Sequence, residues 1–242
     1  MKDFCKPGIR ANILQFYFLL ALSSTTSADG SGIDKVYDPY VQPQERELEW
    51  RSRYQDDKDN QRLSNRTHKL GLGASLDERR FAEVYFIAES SSGESTALEA
   101  SEIELKWQLT EQGEYLADWG LLFELEKELN EKVWEFKTGL ISSRQWNDWV
   151  ATANLFVIYE WGDDIEDELE TAAALQARYR FSQQLEPALE LFISEDTRAI
   201  GPALSGTVLF ANNNSVYWQT GYYVDLRTSG EDTLRFALEY EF

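Results

Sequence analysis

The last eleven residues, Asp232-Thr233-Leu234-Arg235-Phe236-Ala237-Leu238-Glu239-Tyr240-Glu241-Phe242, alternate to the end of the chain. Leu234, Phe236, Leu238, Tyr240 and Phe242 fall on one side, and Arg235, Glu239 and Glu241 on the other. Successive residues of a strand point to opposite faces, so this period of two predicts a strand with one apolar and one polar face.

Working back from that ending, the same pattern recurs along the chain. Leu48, Trp50 and Tyr54 oppose Glu47, Glu49, Arg51 and Arg53, and Leu70, Leu72, Ala74 and Leu76 oppose Lys69, Gly71 and Gly73. Ile103, Leu105, Trp107 and Leu109 oppose Glu102, Glu104, Lys106 and Gln108, and Leu121, Phe123 and Leu125 oppose Glu124 and Glu126. Trp134, Phe136 and Leu140 oppose Glu135 and Lys137, while Ala173, Leu175, Ala177, Tyr179 and Phe181 oppose Gln176, Arg178 and Arg180. Val216, Trp218, Tyr222, Val224 and Leu226 oppose Gln219, Asp225 and Arg227. Segments 79–89, 149–161, 184–194 and 198–211 are less regular, and Pro187 and Pro202 demote the last two toward strand starts or weak pairings. Together they predict an all-β chain of about twelve antiparallel strands, ten to fourteen being compatible, each near the length that crosses a bilayer when tilted.

A soluble sandwich would hide the apolar faces, whereas a transmembrane up-and-down barrel would turn them outward. Three features favour the membrane. Acidic, polar connections such as 55–65 and 162–168 alternate with somewhat shorter ones such as 77–79 and 143–148. Trp50, Trp107, Trp119, Trp149 and Trp218 fall toward one end of their strands, and Trp134 and Trp161 toward the other, as amphipathic rings do at two membrane interfaces. The third feature is the ending. With Phe236, Leu238, Tyr240 and a final Phe242, it resembles the insertion signal of bacterial outer-membrane β-barrel proteins, the porin-like superfamily. The resemblance implies recognition by the barrel-assembly machinery and residence in the bacterial outer membrane, against lipid and lipopolysaccharide.

The amino terminus fits that destination. Lys2, Lys6 and Arg10 precede an apolar run, Ile13 to Leu22, too short to span a bilayer as a helix. Thr26-Ser27-Ala28 follows as a cleavage site, so residues 1–28 read as a signal peptide. Residues 29–44, with Gly, Ser and two prolines, read as an extended periplasmic segment, and 45–242 as the barrel.

Composition narrows the function. A net charge of -20 repels nucleic acid. Cys5, the only cysteine, lies in the leader, so no mature disulfide or thiolate site is expected. A single histidine, His68, leaves no His-based metal cluster, and no cofactor motif is evident. The acidic run Asp163, Asp164, Glu166 and Asp167 could bridge divalent ions loosely, although such runs are usually solvated.

With its polar face inward, the barrel would have a lumen of roughly sixteen carboxylates against about nine bases. Glu104, Glu124, Glu126, Glu135, Arg178 and Arg180 are its candidate residues. The expected role is a porin-like channel or transporter for a small solute, with an acidic, cation-favouring lumen. One alternative is a closed barrel acting as a surface, assembly or adhesion partner. A second is a lipid hydrolase using His68, near Ser64 and Asn65, though no nucleophile motif surrounds it.

Overall fold

The computed structural model describes residues 32–57, 64–91, 95–163, 165–210, 214–227 and 230–242. The expected leader with its cleavage site, and Asp164, lie outside them. Twelve strands follow in order: β1 Arg46–Asp57, β2 Ser64–Ser75, β3 Arg80–Ser90, β4 Ala97–Gln108, β5 Asp118–Glu128 and β6 Val133–Trp146, then β7 Trp149–Gly162, β8 Glu168–Tyr179, β9 Glu186–Ile193, β10 Arg198–Leu209, β11 Ser215–Asp225 and β12 Glu231–Glu241. Each pairs antiparallel with its neighbours in sequence, and β1 closes on β12 from Glu47–Glu241 to Asp57–Glu231. The result is the expected up-and-down barrel of twelve strands, with no open edge to protect.

The wall turns its apolar residues outward. Leu72 is 60 % exposed and Ile103 57 %, whereas Glu49 is 0 % and Glu104 2 %. Water would select the opposite arrangement, and hydrocarbon around a polar interior selects this one. The end where β1 begins and β12 finishes is called the near rim below, and the opposite end the far rim. Trp107, Trp119, Trp146 and Trp149 lie toward the near rim and are all partly exposed. Trp134 and Trp161 stack at the far rim with centroids 6.4 Å apart. Trp50 and Trp218 sit farther in from the near rim, both in register with Leu238. Phe236, Leu238, Tyr240 and Phe242 all face outward, and Phe242 N–H donates to the Arg46 carbonyl at 3.0 Å, tying the chain end to the start of the wall.

Loop length does not separate the two ends, contrary to the expected alternation. The near-rim connection 109–117 is longer than the far-rim connection 226–230. The irregular segments do form strands, and the prolines act locally. Pairing of β8 with β9 begins at Ala188, just after Pro187, and Gly201 and Pro202 interrupt the β10–β11 register while β9–β10 continues through them. A proline has no N–H for one neighbour, and here each strand keeps the other.

Candidate functional site

Residues 32–44 do not stay outside the wall. They run extended, without strand pairing, through the lumen, so the segment read from sequence as a periplasmic lead-in is an internal plug over its described length. Gly32 stands beside Ser194 and Thr197 at the far rim, and Val41 N–H donates to Gln108 Oε1 at 2.8 Å near the other end. An extended segment leaves its peptide groups unpaired, and inside a barrel the wall must satisfy them.

Side chains from opposite sides of the wall do this. Asn154 accepts from Tyr37 N–H at 2.8 Å and donates to the Tyr37 carbonyl at 2.8 Å. The Tyr37 hydroxyl lies 2.9 Å from Glu104 and 3.2 Å from Glu124, and its ring meets Phe156 edge-on. Arg51 Nη1 donates to both Asp34 carboxylate oxygens, at 2.9 and 3.0 Å, and Arg235 donates to the Asp34 carbonyl. Ile33 enters an apolar pocket of Ala174, Phe192, Ala199 and Tyr223. Near the other end Tyr40 donates to Asp118 at 2.7 Å; burial, then that hydrogen bond, pushes its hydroxyl up to about 12, so it remains a donor.

The wall is built to hold these anchors. Glu190, fully buried, accepts from Gln176 at 2.7 Å, Gln219 at 3.1 Å, Tyr223 at 2.6 Å and Arg235 at 2.7 Å. Such saturation makes a buried carboxylate tolerable and holds Arg235 toward the plug. Gly71 and Gly73 leave the inner face of β2 bare, so residues of β1 and β3 meet across it. A Cβ on Gly71 would lie 2.3 Å from Tyr85 Cε1, and the Tyr85 hydroxyl stands 2.6 Å from both Glu49 and Glu83.

The sequence-selected lumen residues fall into three places. Glu104 and Glu124 hold the plug at Tyr37, and Glu124 is paired with Lys137. Arg178 and Arg180 lie toward the near rim beside Glu186, at 2.9 and 4.0 Å. Glu126 and Glu135 belong to a larger feature. Glu102, Glu126, Glu135, Glu160 and Glu168 are successive register partners on β4 to β8, all on the inward face. Glu102 is paired with Lys69 at 3.0 Å, but the other four have no ion pair among the described residues. Like charges directly opposite in a sheet are destabilising, so the carboxylates of this arc favour a cation or a proton between them.

His68 faces outward instead, stacked on Trp50 with centroids 6.2 Å apart. That setting is an aromatic contact on the outer wall, with no hydrogen bond to a serine among the described residues. Sequence reading passed over Asp34, Lys35, Tyr37, Asn154 and Glu190, and set Arg235 on the polar face of the last strand without selecting it. Ile33, Val36, Tyr37, Tyr40 and Val41 were the available signal, since a free linker has no use for so many large apolar and aromatic residues.

The backbone matches solved barrels over most of its length. The outer membrane channel COG4313 from Pseudomonas putida F1 superposes with a TM-score of 0.58 at 16% identity, covering 86% of this chain and 98% of that one. The fold is that of outer-membrane β-barrels. The KdgM porin matches at 0.54 and 13% identity over 81% and 99% of the two chains. The translocator domain of the autotransporter NalP from Neisseria meningitidis matches at 0.53 and 11% over 85% and 90%. No protein-family model matches the chain, and no curated protein does. At such identities the likeness speaks for the barrel architecture, and the chemistry of the lumen must be argued from its own residues.

Proposed function

We propose that this barrel is an outer-membrane channel for small solutes, cation-favouring and held closed by residues 32–44. The observation that carries the reading is the glutamate arc from Glu102 to Glu168, an acidic lining of the inner wall in which Glu102 alone has an ion pair among the described residues. Rings of carboxylates set cation preference in pores. The near rim, which holds both the start of β1 and the end of β12, faces the periplasm in this reading, as in bacterial barrels with an even strand number. Lipid and lipopolysaccharide surround the apolar wall, and the alternating end of β12 is the segment read by the assembly machinery.

The test is the reversal potential across a planar bilayer in a salt gradient, after plug-weakening substitution. Cation preference that falls when Glu126, Glu135 and Glu160 are changed to Gln is the expected result. Anion preference, or preference unmoved by the triple change, would remove the arc from the mechanism. One observation supports a second reading. The plug is anchored along its whole described length, as a permanently closed barrel serving as a surface or assembly partner would require. Absence of any conductance in plug-weakened protein would favour that reading.

A further inference from the structure

Between residues 32 and 41 the segment in the lumen makes no hydrogen bond to a wall peptide group among the described residues. Side chains hold it, and much of what they hold is its backbone. Arg53 Nη1 donates to the Ile33 carbonyl at 3.4 Å, and Arg235 donates to that of Asp34. Asn154 takes both polar groups of the Tyr37 main chain, and Gln108 accepts from Val41 N–H. These four residues stand on β1, β12, β7 and β4, so the backbone is read from several sides of the wall. From Gln42 on the chain joins the sheet: the Ser75 hydroxyl donates to the Gln42 carbonyl, and Ser75 N–H to that of Glu45 at 2.9 Å.

Pockets for side chains lie between these clamps. Ile33 enters the apolar pocket, Asp34 meets Arg51, Tyr37 reaches Glu104 and Glu124, and Tyr40 reaches Asp118. Main-chain hydrogen bonds give a peptide-binding site its affinity, and pockets for chosen side chains give it specificity. The present occupancy is incomplete. Arg51 and Arg235 are only 4 % and 2 % exposed beside Asp34, yet Arg51 Nη2 and Arg235 Nε have no hydrogen-bond partner among the described residues. Beside the segment, a cavity of about 460 Å³ runs from Glu241 at the near rim to Tyr37, room for the end of an incoming peptide.

We infer that the inner wall is a binding groove for a short extended peptide, which Ile33, Asp34, Tyr37 and Tyr40 fill as a resident occupant. The peptide it selects carries an apolar residue, an acidic residue next to it, and tyrosines three and six positions beyond the acid. A matching peptide competes for the clamps and frees residues 32–41, which stay tethered at Gln42. The inference deepens the channel reading by naming a solute class, and rests on that reading for passage but not for binding.

The experiment is a fluorescence-anisotropy titration of a labelled peptide, with the sequence of residues 32–41, into the folded, detergent-purified full chain. Asp34→Ala/Tyr37→Ala loosens the resident segment and leaves the wall intact. Saturable binding to that variant is expected, at least tenfold tighter than to the parent, whose own segment competes at high effective concentration. Adding Asn154→Leu should weaken it at least tenfold. Gln108→Ala is the second clamp variant should the first fail to fold, as judged by heat-modifiable migration on a gel. Equal binding of a scrambled peptide overturns the groove, and so does binding unmoved by the clamp variants. No binding to the loosened chain overturns it too, since residues 32–41 would then be a fixed part of the wall. Peptide binding in a barrel that never conducts would leave the groove standing and sink the channel; conductance without peptide binding would do the reverse.

Discussion

Asn154, on β7, holds the Tyr37 peptide group on both sides, accepting from its N–H and donating to its carbonyl, each at 2.8 Å. The two residues are 117 positions apart. A side-chain amide here does what a neighbouring strand would do for an ordinary extended segment, and the plug is thereby pinned without joining the sheet.

Replacing Asn154 by Leu leaves both Tyr37 groups without that partner. Each unpaired buried group costs about 1–3 kcal/mol, and a change of that size shifts a two-state equilibrium roughly 5- to 150-fold. The expected outcome is a higher open probability in planar bilayers with little change in the temperature at which folded gel migration is lost. Unchanged conductance would show that the plug does not gate the lumen at Tyr37.

Arg51→Met removes the Nη1 contact to Asp34 and one of the cations beside Glu49. Breaking a buried pair from one side costs about 3–5 kcal/mol. Protease cleavage within residues 32–44 should then become faster in the folded barrel. Cleavage at the parental rate would mean that Asp34 does not anchor the segment.

Glu190→Ala strips Arg235, Tyr223, Gln176 and Gln219 of a shared acceptor. The loss should lower the temperature at which unboiled migration disappears by roughly 10 °C or more. A shift of only a degree or two would place the stability of the wall elsewhere.

Gly71→Ala puts a methyl group into the Tyr85 ring. Overpacking of this kind costs about 1–3 kcal/mol, and the ring can yield only by leaving Glu49 and Glu83. A lower unfolding temperature is expected, and Tyr85→Ala should then cost less on top of it than the same change costs in the parent. Equal losses from Tyr85→Ala in the two backgrounds would locate the strain in the backbone.

Phe242→Ser leaves the lumen untouched, because the side chain points outward. If the chain end is read during insertion, the fraction of cellular protein in the heat-modifiable form should fall several-fold, while protein refolded in detergent behaves normally. Equal assembly in cells would detach the last residue from insertion.

Much of this barrel was legible in its residues one at a time. Alternation is a local property of an extended backbone, so Leu48 against Glu49, or Phe236 against Arg235, announced a two-faced strand without any knowledge of neighbours. Eight such segments, four less regular ones and an aromatic ending were enough for the architecture, and even Pro187 and Pro202 were read correctly as weak points. Two things lay beyond that reach. The glutamate arc exists only because strand register sets Glu102, Glu126, Glu135, Glu160 and Glu168 side by side, and a one-residue slip would turn a strand's glutamate to the outer face. The plug has no period at all. Its place is decided by Asn154, Arg51, Arg235 and Gln108, which converge on one axis only when the wall has closed, and hydrogen bonds of that kind leave no mark on the spacing of residues along the chain.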